Sequence, residues 1–235
     1  MTMARRALTC IAAGLAVATI ATSCGHATAP PAPATTPAAP AAVAVGAFDP
    51  AHTALLVMDL QQAIIDMGGD SVRDAVRHTA EAESVSRRAG VRVVFIGTAF
   101  TPGYPEISPR NKAFARLLGT GKMLQGSAEA RLDPRIAPVG DEPVIYKHHV
   151  GAFSAAQLQP GLQAAHVDTL VLTGLATSGV VLSTALAAAD LDYRVVVLSD
   201  CVADPDPTVN RVLLGQVLPT QATVTDSARY AQALH

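Results

Sequence analysis

Three separated segments carry groups that could meet to do chemistry. Asp59 closes the apolar run Ala54-Leu55-Leu56-Val57-Met58 and is followed by Leu60-Gln61-Gln62. Lys147 closes a second run, Pro143-Val144-Ile145-Tyr146. Gly174-Leu175-Ala176-Thr177-Ser178-Gly179-Val180-Val181 leads from a third run into a helical pattern. A side chain at the C-terminal end of a buried parallel strand sits where open α/β sheets place their ligands. Asp59 alone could simply cap the next turn, and Lys147 alone could be an exposed strand exit. Their shared placement is what points to a site. In a partly dry cleft the ammonium would lower the pKa of the acid and stabilise negative charge on a substrate, or hold the acid in place. Free backbone N–H groups at a strand-to-helix turn favour an anion. Ala176, Thr177, Gly179 and Val180 are the candidates for that cradle, and Thr177 or Ser178 reads as a helix cap rather than a nucleophile.

These segments need a sheet that delivers all three strand ends to one edge. Strand patterns fall at Ala54–Met58, 91–97, 143–147, 169–173, 193–199 and 222–225, and helical patterns at 71–89, 155–165, 179–191, 208–218 and 227–234. Asp70 is the expected N-cap of the first long helix and Gly90 its stop. A short helical piece is expected at 112–118. Short continuous apolar strands alternating with helices imply a three-layer α/β/α sandwich around a mostly parallel, doubly wound sheet. The segment from Thr98 to Glu142, with Pro102-Gly103-Tyr104-Pro105, is the irregular part and the expected lid or partner surface.

The amino-terminal residues read differently. Arg5-Arg6, an apolar stretch from Leu8 to Ile20 and Ala21-Thr22-Ser23-Cys24 resemble a bacterial lipoprotein signal. The expected organisation is a signal over 1–23, an Ala/Pro/Thr-rich tether over 24–47 and one folded domain over 48–235. Cys24 would carry the lipid, so the domain would be exported and anchored to a membrane of the cell envelope. Plain secretion is the alternative. The formal charge of −2 and the lack of a basic block exclude a nucleic-acid partner. With Cys10 and Cys24 accounted for, Cys201 stands alone and reads as a buried structural thiol. His148 and His149 are adjacent on a strand, which points them to opposite faces and makes a poor chelate. No metal and no cofactor are expected.

Asp59-Leu60-Gln61, Lys147 followed by Gly151-Ala152-Phe153, and Thr177-x-x-Val180-Val181-x-x-Thr184-Ala185 resemble, in that order, the motifs of the isochorismatase-like hydrolases. The resemblance runs from about Asp49 to Thr225. It implies that Asp59 is an acid/base residue and Lys147 its partner, with Val180 at the position where amidase members carry a nucleophilic Cys. Val has no lone pair, so a thioester mechanism is disfavoured. Isochorismatases proper resemble the rest, lack that Cys and cleave a vinyl ether through an Asp-delivered proton. Gln61, Arg110 and Phe153 are the candidate substrate-binding residues, with Arg116 a further cation for an anionic substrate. The expected function is therefore hydrolysis of a small molecule by Asp-based acid/base catalysis. A catalytically inactive small-molecule-binding protein on the same scaffold is the alternative. The resemblance also implies subunit association, for which the apolar helix from Gly179 to Asp190 offers a face.

Overall fold

The computed structural model describes residues 46–234. The expected signal, Cys24 and the tether up to Val45 lie outside the described residues. No described helix is long and apolar enough to cross a membrane.

Six strands form one sheet: β1 (Thr53–Met58), β2 (Arg92–Thr98), β3 (Val144–Lys147), β4 (Thr169–Leu175), β5 (Arg194–Ala203) and β6 (Thr223–Thr225). Their order is β3-β2-β1-β4-β5-β6, and every neighbouring pair is parallel. The sheet is thus wholly rather than mostly parallel. Side chains alternate between its faces with the period of 2 that strands impose. Ala54, Leu56 and Met58 of β1 join one core with Val94, Ile96, Leu170, Leu172, Val195 and Val197. Leu55 and Val57 join the other with Val93, Phe95, Val171, Val196 and Leu198. The first core is covered by α3 (Leu158–Ala164), α4 (Leu182–Asp190) and α5 (Pro207–Val212), the second by α2 (Asp70–Ala89) and α6 (Ser227–Ala233). This is the three-layer arrangement with both faces buried. The strand order reverses between β1 and β4, so the ligand crevice belongs at the C-terminal ends of those two strands.

Several boundaries differ from the expectation for identifiable reasons. Gly69, with an extended backbone, is the N-cap of α2. Asp70 is the first helical residue instead, pairing with Arg73 one turn on, where a carboxylate suits the helix dipole. Gly90 takes the left-handed conformation expected of a helix stop, with φ 81°. The expected helix at 155–165 is shortened to α3, with Pro160 in its first turn, where a missing N–H does no harm. The helix expected at 179–191 opens instead with a π-helical turn, Thr177–Val181, before α4. The pattern at 208–218 breaks into α5, a π-helical turn at Leu213–Val217 and a 3-10 turn that takes in Pro219.

The segment between β2 and β3 holds two 3-10 turns, Ala115–Leu117 and Pro134–Ile136, in place of the short helix expected at 112–118. It has its own small core of Phe100, Tyr104, Ile107 and Met123, packed against Ala63 and Ile64 of the short helix α1 (Gln62–Ile65). Its return leg lies along the residues after Asp59. The Asp133 N–H donates to the Leu60 carbonyl (3.0 Å), and those of Gln62 and Ala63 donate to Arg131 and Glu129 (2.9 and 3.1 Å).

One charged cluster fastens this segment to α2. Arg87 spans Glu142 (2.8 Å) and Glu83 (3.2 Å), and Glu83 is only 1% exposed, with its Oε1 unpartnered. Burial pushes the Glu83 carboxyl up from 4.5 to about 8, against the pull of Arg87 and with a push from Glu142. Below the unfolded value both states keep the proton, and the contribution to stability is full. As pH rises toward about 8 the unfolded chain alone releases it, and that stability is lost. The melting temperature is therefore expected to fall between pH 5 and 9 by more than in Glu83→Gln, which a pair of thermal scans across that range would check. Equal slopes would contradict it.

Candidate active site

Asp59 follows β1 with a left-handed backbone, φ 54°, a conformation Asp tolerates better than bulky residues. Its N–H donates to the Ile96 carbonyl at 2.8 Å, which anchors the turn to β2. Lys147 ends β3, two strands away from β1, with Thr98 as its register partner on the intervening β2. The two side chains cross that gap and meet: Lys147 Nζ donates to Asp59 Oδ2 at 2.7 Å. Lys147 is 1% exposed and Asp59 6%. A buried pair of this kind is costly to assemble and more costly to break by removing one partner. Burial raises the Asp59 carboxyl above the ordinary carboxylate range, while the charge and hydrogen bond of Lys147 and the Thr98 hydroxyl pull the other way.

Thr98 completes the cluster, although its residue type alone does not mark it in the sequence. Its hydroxyl lies 2.7 Å from Lys147 Nζ and 3.1 Å from Asp59 Oδ1. The available signal was its place: it is the last residue of β2, beside the strand that ends at Asp59, where the sequence suggested the start of a loop.

The turn after β4 comes from the other side of the switch point. Gly174 runs beside Met58 in the β1–β4 register, and the Leu175–Ala176 peptide is cis. The π-helical turn carries Val180 buried at 2% exposure. Two of its N–H groups are turned inward: those of Gly179 and Val181 donate to the Ala176 carbonyl (3.1 and 3.3 Å). Gly179 is thereby committed within the turn, leaving Ala176, Thr177 and Val180 as the cradle candidates. The Ser178 N–H donates to Asp204 Oδ2 (2.7 Å), and the Thr177 hydroxyl donates to Asn210 Oδ1 (2.6 Å). Asp204 and Asn210 fix the turn from the β5–α5 side. The sequence signal for Asp204 is its place, since it follows a strand just as Asp59 does; Asn210 carries no such signal.

The remaining candidates make no side-chain bond to the pair. Gln61 is fully buried and its amide is spent on backbone: Oε1 accepts from Thr98 N (2.7 Å), and Nε2 donates to the carbonyls of Thr98 (2.8 Å) and Ala130 (2.7 Å). Phe153 packs its ring toward Tyr193, 5.9 Å between centroids, just before β5 begins and thus toward the strand ends opposite Asp59. Arg110 and Arg116 are exposed on the irregular segment. His149 is exposed, and the His148 ring sits near Phe100, with Nε2 3.9 Å from Glu106 Oε1. Among the described residues no cluster of His, Cys, Asp and Glu is placed to hold a metal ion.

Cys201 is buried on the opposite face of the sheet from Val180. The β4–β5 register jumps from Leu172↔Val197 to Gly174↔Val202, so β5 bulges through 198–201 and continues to Ala203 instead of ending at Ser199. The bulge turns Cys201 toward α2, where the Thr79 hydroxyl reaches its carbonyl at 3.4 Å. Burial, with Asp200 beside it, pushes the thiol well above its ordinary pKa. Such a thiol is inert at neutral pH.

Comparison with known proteins identifies the family and the fold. The Isochorismatase domain model matches residues 53–229. The chain is 30% identical over 155 residues to a maleamate amidohydrolase of Pseudomonas putida, covering 64% of this chain and 72% of that protein. It is 28% identical over 210 residues to a ureidoacrylate amidohydrolase of Methylobacterium radiotolerans, covering 80% and 81%. The solved structure of an isochorismatase family protein from Burkholderia thailandensis superposes with a TM-score of 0.70 at 27% identity, covering 81% of this chain and 98% of that one. A cysteine hydrolase from Pseudomonas syringae shares the fold, with a TM-score of 0.74 at 20% identity, covering 81% and 96%.

Proposed function

The chain belongs to the isochorismatase family of small-molecule hydrolases, and from that premise we propose that it works without a thiol nucleophile, through Asp59 as a general acid. One observation carries the reading. Asp59 and Lys147 meet at 2.7 Å in a buried cluster at the C-terminal strand ends, while the turn after β4 presents Val180. The family relatives named above are amidohydrolases, so amides and ureides belong in any substrate panel. The chemistry that fits the residues of this chain best is cleavage of a vinyl ether.

Asp59 in its protonated form would give its proton to the terminal carbon of the enol ether. The C=C pair forms the new C–H bond and leaves an oxocarbenium ion. Water adds to that ion and loses a proton to the carboxylate, regenerating the acid. The resulting hemiketal collapses to a carbonyl compound and an alcohol. Burial keeps the protonated form of Asp59 accessible, and Lys147 stabilises the carboxylate left after transfer. The N–H groups of Ala176, Thr177 and Val180 would hold an anionic part of the substrate. Export, with a lipid on Cys24, is part of the same proposal and rests on the amino-terminal sequence alone.

The second reading, binding without turnover, is favoured by the same Val180. Assay of the purified protein against vinyl ethers, amides and ureides separates the two. Vinyl-ether cleavage is expected, insensitive to thiol alkylation. Its kcat should be highest on the acid side and fall as pH rises through the raised pKa of Asp59, since the catalytic form is the protonated one. A rate that instead rises to a plateau with pH would assign Asp59 as a base. Ligand-dependent stabilisation with no turnover of any class would favour the binding protein.

A further inference from the structure

We infer that Thr98 is a positioning residue of the Asp59–Lys147 pair, its hydroxyl holding the second oxygen of the carboxylate and tying it to the same ammonium. The direction of each bond follows from the chemistry of the groups. An ammonium only donates, so Thr98 Oγ1 accepts from Lys147 Nζ at 2.7 Å. An ionised carboxylate only accepts, so the single hydroxyl proton points to Asp59 Oδ1 at 3.1 Å. Oδ2 takes the other Lys147 bond at 2.7 Å. Both carboxylate oxygens are thus linked to one cation, one directly and one through the hydroxyl. All three residues are buried, so these bonds face little competition from water.

The scaffold around Thr98 is built to keep that hydroxyl in place. The Gln61 side-chain amide clamps the Thr98 backbone on both sides, accepting from its N–H and donating to its carbonyl (2.7 and 2.8 Å). Its second N–H is tied to Ala130 at 2.7 Å. Gly97 leaves the room: a Cβ there would lie 3.3 Å from Gln61 Cδ and 3.1 Å from a Tyr146 ring carbon. A residue two positions after the acid therefore fixes the neighbour that orients the acid. Lys147 is the charged group whose field reaches Asp59; its other polar side-chain partner, Thr98, is uncharged.

The inference rests on the reading of Asp59 as the acid only for its kinetic consequence. Its main test is independent of turnover: titration of the Asp59 carboxyl by carbon NMR in the free protein, the resonance identified by its absence in Asp59→Asn. Thr98→Val keeps shape and removes the hydroxyl. It should move the midpoint upward by about one pH unit or more, because Oδ1 is left buried without its donor. Thr98→Ser, which keeps the hydroxyl, should restore the midpoint to within about 0.3 units. Thr98→Ala repeats the first arm should the valine variant fold poorly. In turnover, Thr98→Val should lower kcat about tenfold with KM unchanged. An unmoved midpoint in Thr98→Val and Thr98→Ala, or Thr98→Ser behaving as they do, overturns the inference and leaves the hydrolase reading standing. A moved midpoint in a protein that turns over no substrate supports the inference and refutes the hydrolase reading.

Discussion

Gly174→Ala is expected to destabilise the protein by at least about 3 kcal/mol, enough to lower its melting temperature by roughly 6–12 °C. Gly174 has φ 132°, outside the range that L side chains adopt readily, and lies beside Met58 in the centre of the sheet. A Cβ there would fall 2.1 Å from the Met58 carbonyl oxygen and 2.9 Å from its carbonyl carbon. Those are backbone atoms of a fully buried strand, so nothing flexible can yield. Relief would require β1 and β4 to part at the point where the acid and the turn are delivered. The contrast is Gly161 in α3, where a Cβ meets nothing within 4 Å. Gly161→Ala should be neutral or stabilising by about 0.5–1 kcal/mol. Thermal melts of the two variants beside the parent check this, and a Gly174→Ala melt within 2 °C of the parent (roughly the scatter of a neutral change) would contradict it.

The same glycine shows what the sequence does and does not reveal. It lies in a Gly-rich turn recognisable at once, yet the reason for it is a carbonyl from a strand more than a hundred positions earlier. The central strands were legible because each is a short apolar run, and a parallel sheet buried on both faces makes such runs inevitable. Asp59 and Lys147 were legible because strand ends in this topology share one edge. Thr98 was not, because threonine at the end of a β-branched run has an ordinary packing explanation. Gln61 suggested a substrate contact by its closeness to Asp59 in sequence, but an amide beside a strand end found backbone partners first. The placement of Cys201 depends on a bulge that no local pattern announces, and that of the Phe153 ring on its contact with Tyr193. In each of these cases the deciding contact is distant in sequence.

Asp59→Asn is expected to lower kcat for vinyl-ether cleavage by between about 10² and 10⁴-fold, the range that a positioned general acid contributes. The amide matches the carboxyl in shape but has no acidic proton to give. It also leaves the Lys147 ammonium buried with the Thr98 hydroxyl and without its carboxylate, which should cost about 3–5 kcal/mol of stability. Loss of activity and loss of fold must therefore be separated, by assaying well below the melting point of the variant with its far-UV circular dichroism matched to the parent. Thiol chemistry is separated by alkylating the parent before assay; with Cys201 buried, alkylation should change nothing. The measurement that bears most directly on a thiol-independent, carboxyl-driven hydrolase is thus kcat of folded Asp59→Asn relative to the parent on the best vinyl-ether substrate. A drop of two orders of magnitude or more is the result predicted here; turnover within a few-fold of the parent would contradict it.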